Sequence, residues 1–412
     1  MTEPELTPLQ AWAASGAMAL TGRSGGPPLA APGSAATMVS AALREIAMST
    51  IIRTEHEPKL PGIELLGERA AIAGLHRAGP FSCGGAFRVV ETNDGRFGLS
   101  LPRPEDLDLI PALTESDFTG DVWATVAAWA RTLSTSEAAD RVELLGLAGG
   151  EIPDPGRTTR PGVLVTEHGP RRRRRDRPRI VDLTGLWAGP LCAHLLGLTG
   201  AEVVKVESVQ RPDGARRGPA AFFDVLHAGH AMVALDFHDP GGIAALQGII
   251  ANADLVLESS RPRALAQFGI DAKEVVSAGT SWLSITARGR ESNAVGFGDD
   301  VAAAAGLVVP AGSDLLPCGD ALADPLAGVR AAAAAADALF AENARMIDVS
   351  MLHVAAEAAD GPSEDHRVHR SGETWWVETA RGRFPVADPV ARRPPAPASA
   401  LGADNEHWVG KR

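Results

Sequence analysis

The sequence predicts an α/β protein with a parallel-sheet large domain and a smaller α+β domain. Three observations carry this expectation: a strand-helix-strand unit at residues 179–207, a hairpin followed by helical patterns after residue 60, and 412 residues, enough for two domains. In the first unit, RIVDL reads as a strand that ends in the turn Thr184-Gly185-Leu186-Trp187-Ala188-Gly189-Pro190. Glycine there lets backbone N–H groups approach a ligand, and Pro190 suits the opening of a helix. The helix would pack through Leu191, Leu195, Leu196 and Leu198, with Gly200 placed to cap it before the second strand, AEVVKVE. This is a Rossmann-like half-unit.

The block over residues 61–150 predicts the small α+β domain. Asn93-Asp94-Gly95 supplies a hairpin turn between alternating apolar residues, with glycine expected at positive φ, and DVWATVAAWARTL and SEAADRVELLG read as helices. Residues 151–177 are rich in proline, glycine and arginine and read as a linker, with Arg171–Arg175 a solvated charge run. The large domain is expected over 178–360, and 361–412 as a C-terminal tail whose prolines exclude regular structure through ARRPPAPASALGADNEHW.

A hydrophobic content of 45% with 22% charged residues is ordinary for a soluble globular chain. The net charge of -12 argues against general nucleic-acid binding. Cys83, Cys192 and Cys318 are the only cysteines and have no metal-ligand spacing, which points to a reduced cytoplasmic setting and no metal. MTEPELTPLQ has no leader-like pattern, and no apolar run is expected to approach the ~20 residues that cross a bilayer, so no membrane role is expected. The absence of tyrosine, and the abundance of alanine and arginine, read as composition bias.

An internal echo runs through the chain. AASGAMALTGRSGGPPLAAPGSAATMVSAAL (13–43) lies without gaps on AAAGLVVPAGSDLLPCGDALADPLAGVRAAA (303–333), setting Gly16 on Gly306, Gly22 on Gly312, Pro27 on Pro317 and Ser34 on Asp324. A constant shift is what duplication predicts. Residues 1–60 are then a degenerate copy of a large-domain helical segment, and the chain is a fusion in which each copy supplies what the other lacks. VETNDGRF (90–97) and VETARGRF (377–384) form a weaker echo.

The turn segment at 179–207, with HAGHAMVALDFHDPGGIAAL (227–246), ADLVLESSRPRALAQFGID (253–271), LADPLAGVRAAAAAADAL (322–339) and RMIDVSMLHVAAEAA (345–359), resembles the family III CoA-transferases in order. The group includes formyl-CoA transferase, carnitine CoA-transferase and α-methylacyl-CoA racemase. The resemblance implies coenzyme A, carried as acyl-CoA, and a small carboxylic acid as substrates, and an interlocked homodimer. It implies that Asp324 is the nucleophile, since Asp324-Pro325-Leu326-Ala327-Gly328 matches the family's aspartate, three residues and glycine. A carboxylate with a reference pKa of ~3.9 attacks a thioester without an adjacent base. Asp320 is the decoy, and Ser34 leaves the first copy without a nucleophile. Read alone, Asp324 before Pro325 is also an N-cap. The resemblance further sets Gly185, Leu186, Trp187 and Ala188 against CoA, Arg216 or Arg217 on its phosphates, and Arg261 and Arg263 as further anion contacts. Trp187 departs from the polar residue of many relatives and also reads as packing at the strand-helix junction. Arg288 replaces an aromatic of the family's glycine turn, and Gly84 and Gly85 are candidates for a lid. Two other functions compete: a racemase, for which Phe297 stands near the place of a needed histidine, and a degenerate CoA-binding partner subunit.

Overall fold

The computed structural model describes residues 5–116, 120–153, 160–172, 175–260, 262–361 and 363–410. Its main element is a seven-stranded sheet. Six strands are parallel: Arg179–Leu183, Glu202–Ser208, Ala231–Leu235, Leu255–Glu258, Ser281–Thr286 and Asn343–Ser350. Counted in chain order, they lie 3-2-1-4-5-6 across the sheet, the order of doubly wound nucleotide folds, whose ligands sit at the strand C-termini where the order reverses. That reversal lies between Arg179–Leu183 and Leu255–Glu258.

The strands are apolar on both faces because helices cover both. Ile180, Leu257 and Ile347 belong to one core, under Ala188–Leu198 and Ala323–Phe340, and Val181, Val256 and Trp282 to the other, under Pro240–Ala251 and Ala272–Ser277. The first core extends to the N-terminal helix Ala35–Thr54, which packs on Ala323–Phe340. This 20-residue helix is long and apolar enough, by length and composition alone, to cross a membrane, a test that buried core helices also pass, and here it packs on Ala323–Phe340.

The block over 61–150 holds a three-stranded antiparallel sheet, Phe87–Glu91, Arg96–Ser100 and Ala148–Glu151, packed against helices Val122–Ala130 and Thr135–Leu144. The hairpin turns at Asn93-Asp94-Gly95, although Gly95 is not at positive φ. A Cβ at Gly95 would stand 2.8 Å from Thr135 Oγ1, so the glycine is there for space. Arg288 crosses to this sheet and donates to the Gly149 carbonyl at 2.9 Å.

Two further expectations change. Within 151–177, Val163–Pro170 is the edge strand of the main sheet, antiparallel to Asn343–Ser350. Its Val-Leu-Val-Thr core has β propensity that the surrounding proline and arginine obscured. In the arginine run, Arg171 and Arg175 pair with buried Asp254, and residues 173 and 174 lie outside the described residues. Residues 361–412 contain a second small antiparallel sheet, Arg367–Ser371, Thr374–Thr379 and Gly382–Pro385, before the chain returns to Ala231–Leu235, where Asp404 accepts from the Met232 N–H at 2.7 Å.

The echoed segments share some elements and differ in others. Helices Pro8–Ala14 and Gly298–Ala304 are both seven residues long and are displaced by the same step as Gly16 (φ +80°) from Gly306 (φ +93°). VETNDGRF and VETARGRF both span hairpins. The segments differ where Met18–Leu20 is a 3-10 turn and Val308–Ala311 pairs with Asp314–Pro317 in a hairpin.

Beneath the first strand's turn, Lys205 is wholly buried, 3.0 Å from Asp213 and 3.7 Å from Asp182, and donates to the Thr184 carbonyl at 2.8 Å. Burial works against its charge, but Asp182, Asp213 and Glu207 outweigh it and hold the Lys205 pKa above its usual range. Asp213 in turn accepts from the Leu186 and Ala215 N–H groups, both at 2.9 Å, and so fixes the turn. Lys205→Met would leave two buried carboxylates without their cation. It is expected to lower unfolding free energy by about 3–5 kcal/mol, measured by urea denaturation.

Candidate active site

Helix Ala323–Phe340 begins with Asp324 in its first turn, and the residue at its N-cap is Leu322. Asp324 is therefore not a cap, and its side chain is free for another partner. It remains partly accessible at the surface of the first core. The N–H of Ala188, the first residue of helix Ala188–Leu198, lies on the Asp324 side of that helix and draws the Asp324 pKa down. Two helix N-termini thus converge on one carboxyl group, where partial positive charge favours its anion.

Glycine makes this convergence possible at two positions. A Cβ on Gly328, one turn after Asp324, would stand 2.6 Å from the Ala188 carbonyl oxygen and 3.1 Å from Leu191, so only glycine lets the two helices approach this closely. A Cβ on Gly298 would stand 2.3 Å from Asp324 Oδ2 and 2.2 Å from the Ala321 carbonyl oxygen.

Around Asp324 lies a cluster of carboxylates served by one arginine. Asp320 is buried and holds Arg69, whose Nε donates at 2.9 Å. The Cys83 thiol lies 3.3 Å from Asp320 Oδ1, and burial and then Asp320 push its pKa far up, so it is an unreactive thiol. Asp299 accepts from the Ala321 N–H at 2.9 Å. Burial and then the Asp320 charge push the Asp299 pKa up to about 6. Burial raises Asp300 to about 7, against the Phe297 N–H that donates to it at 2.9 Å. Burial also raises Asp324 to about 7; Arg69 and the Ala188 N–H pull it down, and Asp299 and Asp300 push it up. The expectation of an aspartate ionised without assistance is therefore corrected. At neutral pH Asp324 is divided between its acid and its anion, because desolvation and like charges outweigh the helix ends.

The structure brings some expected residues together and not others. Gly84 and Gly85 form an exposed turn beside Cys83, and a Cβ on Gly84 would lie 3.8 Å from the Arg69 guanidinium. Trp187 is buried, edge-on to Phe222 at 5.3 Å with Arg69 5.3 Å from its ring, which is the packing role. Leu186, not Gly185, takes positive φ (65°), and its N–H is spent on Asp213, so the turn does not offer that amide to a ligand. Arg216 is paired through Nε and Nη2 with Glu207 and stacks on Phe223, so a phosphate there would compete with that carboxylate. Arg217 is exposed on the adjoining 3-10 turn. Arg263 sits in helix Pro262–Ala266, and Arg261 lies outside the described residues. No group of side chains suited to a metal ion occurs among the described residues.

Sequence reasoning missed Arg69, Asp299, Asp300 and Gly298. Arg69 has no local signal, because its partner Asp320 is far along the chain. Gly298-Asp299-Asp300 ahead of an alanine run was visible as an acidic helix start, and the structure shows Asp300 in a capping box with the Phe297 N–H.

Residues 177–374 match the family model described as CoA-transferase family III. The chain is 32% identical over 107 residues to a succinyl-CoA–D-citramalate CoA-transferase from Chloroflexus aurantiacus, covering 24% of this chain and 27% of that one. It is 28% identical over 127 residues to a succinate–glutarate CoA-transferase from Agrobacterium fabrum, covering 27% and 32%. The matches thus span about a third or less of these relatives' length. Among solved structures, a CaiB/BaiF family protein from Brucella suis aligns at 20% identity with a TM-score of 0.43, covering 49% of this chain and 65% of that one.

Gly328→Ala is expected to force the two helices apart and cost about 1–3 kcal/mol, read from its unfolding curve against the parent chain. A second expectation concerns pH. The buried Asp300 has a folded pKa near 7, above the ~3.9 of an unfolded aspartate, so its contribution is full below about pH 4 and lost as pH rises through 7. Asp300→Asn should reduce the fall in stability between pH 5 and pH 8 by about 2 kcal/mol, followed by denaturant titration at each pH.

Proposed function

We propose that this chain, whose residues 177–374 belong to CoA-transferase family III, moves CoA from an acyl-CoA to a carboxylic acid through Asp324. The observation that carries this reading is a partly accessible carboxylate in the first turn of a helix, one turn before Gly328, where that helix packs against the start of Ala188–Leu198 at the C-terminal side of the nucleotide-type sheet.

In this scheme the Asp324 carboxylate attacks the thioester carbonyl and CoA leaves as the thiolate, giving a mixed anhydride. The thiolate then attacks the Asp324 acyl carbon and expels the first acid, leaving an aspartyl-CoA thioester. An incoming carboxylate attacks that thioester, forming a second anhydride and freeing the thiolate again. The thiolate takes the new acyl group and restores the Asp324 carboxylate. Arg69 and the Ala188 N–H favour the anion needed at the start and regenerated at the end. The exposed Gly84-Gly85 turn beside Arg69 suits a lid that keeps water from the anhydride. CoA itself would lie along the turn at Gly185, Leu186, Trp187 and Ala188, with the exposed Arg217 available to its phosphates and Arg216 only on release from Glu207, while Arg261 and Arg263 are candidates by resemblance alone.

The same reading treats residues 1–60 and 61–150 as remains of a first copy and 178–360 as the second, a fused chain that reproduces part of a dimer within itself. Support comes from the matched helices, glycines and hairpins of the two echoes. Ser34 stands at the Asp324 place in the first copy, so one reactive carboxylate per chain is expected. Association into a homodimer belongs to this proposal as well.

The spent Leu186 amide and the Glu207-bound Arg216 favour a second reading, a CoA-binding partner subunit without turnover. Hydroxylamine added during turnover with an acyl-CoA separates the two. The transferase yields a hydroxamate at Asp324, loses about a thousandfold or more in kcat/KM on Asp324→Ala, and slows as pH drops below about 7. CoA binding with neither turnover nor adduct would leave the partner subunit.

A further inference from the structure

We propose that a second pocket, apart from the carboxylate cluster, binds a small carboxylic acid with an apolar body, of the medium-chain fatty acid type, without reacting with it. The inference rests on reading the chain as two fused copies. The cavity encloses about 860 Å³, within the span of small-molecule sites. Its walls include Leu9, Ala31, Pro32, Ile152, Val309 and Leu315, and none of Asp299, Asp300, Asp320 or Asp324 lines it.

Its position in the first copy tells what it has become. At the step that sets Gly16 on Gly306, Leu9 stands for Asp299, Gln10 for Asp300, Ala30 for Asp320 and Ser34 for Asp324. Leu9, Ala30 and Gly33, the neighbour of Ser34, all line the cavity. The local geometry survives the exchange. Gln10 Oε1 accepts from the Thr7 N–H at 3.0 Å, as Asp300 does from the Phe297 N–H at 2.9 Å. Every carboxylate of the cluster is thus replaced by an uncharged residue in a conserved frame, which removes the nucleophile and leaves an apolar enclosure.

The rim supplies a place for one anionic head group. Arg96 comes from the hairpin of the small domain and Arg381 from the hairpin near the C-terminus. Arg96 gives one nitrogen to the Ser313 carbonyl at 3.0 Å, and among the described residues nothing pairs with the exposed Arg381 guanidinium. Glu364 and Asp365 also line the pocket, with Glu364 accepting from the Thr7 hydroxyl at 3.4 Å. They repel a carboxylate and direct it to the arginines. An acyl chain in the enclosure with its carboxylate at the rim satisfies both parts.

Titration calorimetry with octanoate on the full chain tests this, with octanoyl-CoA as a second arm. Octanoate should bind the parent and Asp324→Ala equally, and weaken by about tenfold or more in Ala31→Trp and Val309→Trp, which fill the cavity from different segments. Melting curves show whether each variant is folded, and either one alone suffices. No octanoate binding, binding indifferent to both tryptophans, or binding lost in Asp324→Ala would overturn the proposal. Binding of octanoyl-CoA alone would overturn it too, since the head group would then be a thioester. Octanoate binding at this pocket in a chain that shows no CoA transfer would sink the transferase reading and leave the pocket standing.

Discussion

The close approach of helix Ala188–Leu198 to helix Ala323–Phe340 at Gly328 is the constraint on which the rest of this structure depends. Without a side chain at that point the Ala188 backbone comes within reach of Asp324, and the turn after the first strand meets the start of a helix far along the chain. The aspartate and the glycine one turn later are therefore one device: the first presents a carboxylate, and the second sets how near a neighbouring helix can bring its N–H. The turn itself is held from below by Lys205 and Asp213, so the amide end of Ala188–Leu198 is fixed before any ligand arrives. Pre-organisation of this kind moves the cost of ordering from binding to folding.

The electrostatics of the cluster work in opposition. Burial and the neighbouring carboxylates favour protonated Asp324, while Arg69 and the two helix starts favour the anion, and the balance falls near neutrality. Asp320 spends itself on Arg69 and keeps that cation beside the cluster. A carboxylate in this balance is easily neutralised, which on the proposed scheme suits a group that must alternate between free anion and acyl derivative. The same burial makes Asp299 and Asp300 unfavourable as anions, a local cost in stability accepted at a site.

A capped seven-residue helix, a glycine at positive φ and a later long helix form a frame present in both echoed segments, with different contents. Around Asp324 it encloses charge; beside Gly33 it opens on a cavity of about 860 Å³ with mainly apolar walls and a charged rim. The frame depends on backbone features, namely capped seven-residue helices and glycines at positive φ, which are indifferent to the side chains that line the space between them. The two segments thus differ in side-chain chemistry while their long helices, Ala35–Thr54 and Ala323–Phe340, pack against each other.

The sequence by itself determined the local and periodic features. The strand-turn-helix at 179–207, the hairpin at Asn93-Asp94-Gly95, the constant shift between the echoed segments and Asp324 with Gly328 were all readable, because each is set by residues near in sequence. Only the tertiary structure decided what depends on residues far apart. Arg69 meets Asp320, Arg216 turns to Glu207, Arg288 bonds Gly149, and Val163–Pro170 joins the sheet by pairing with Asn343–Ser350. The Asp324 pKa belongs to the same group, since desolvation and like charges are properties of an assembled environment and no spacing along the chain records them.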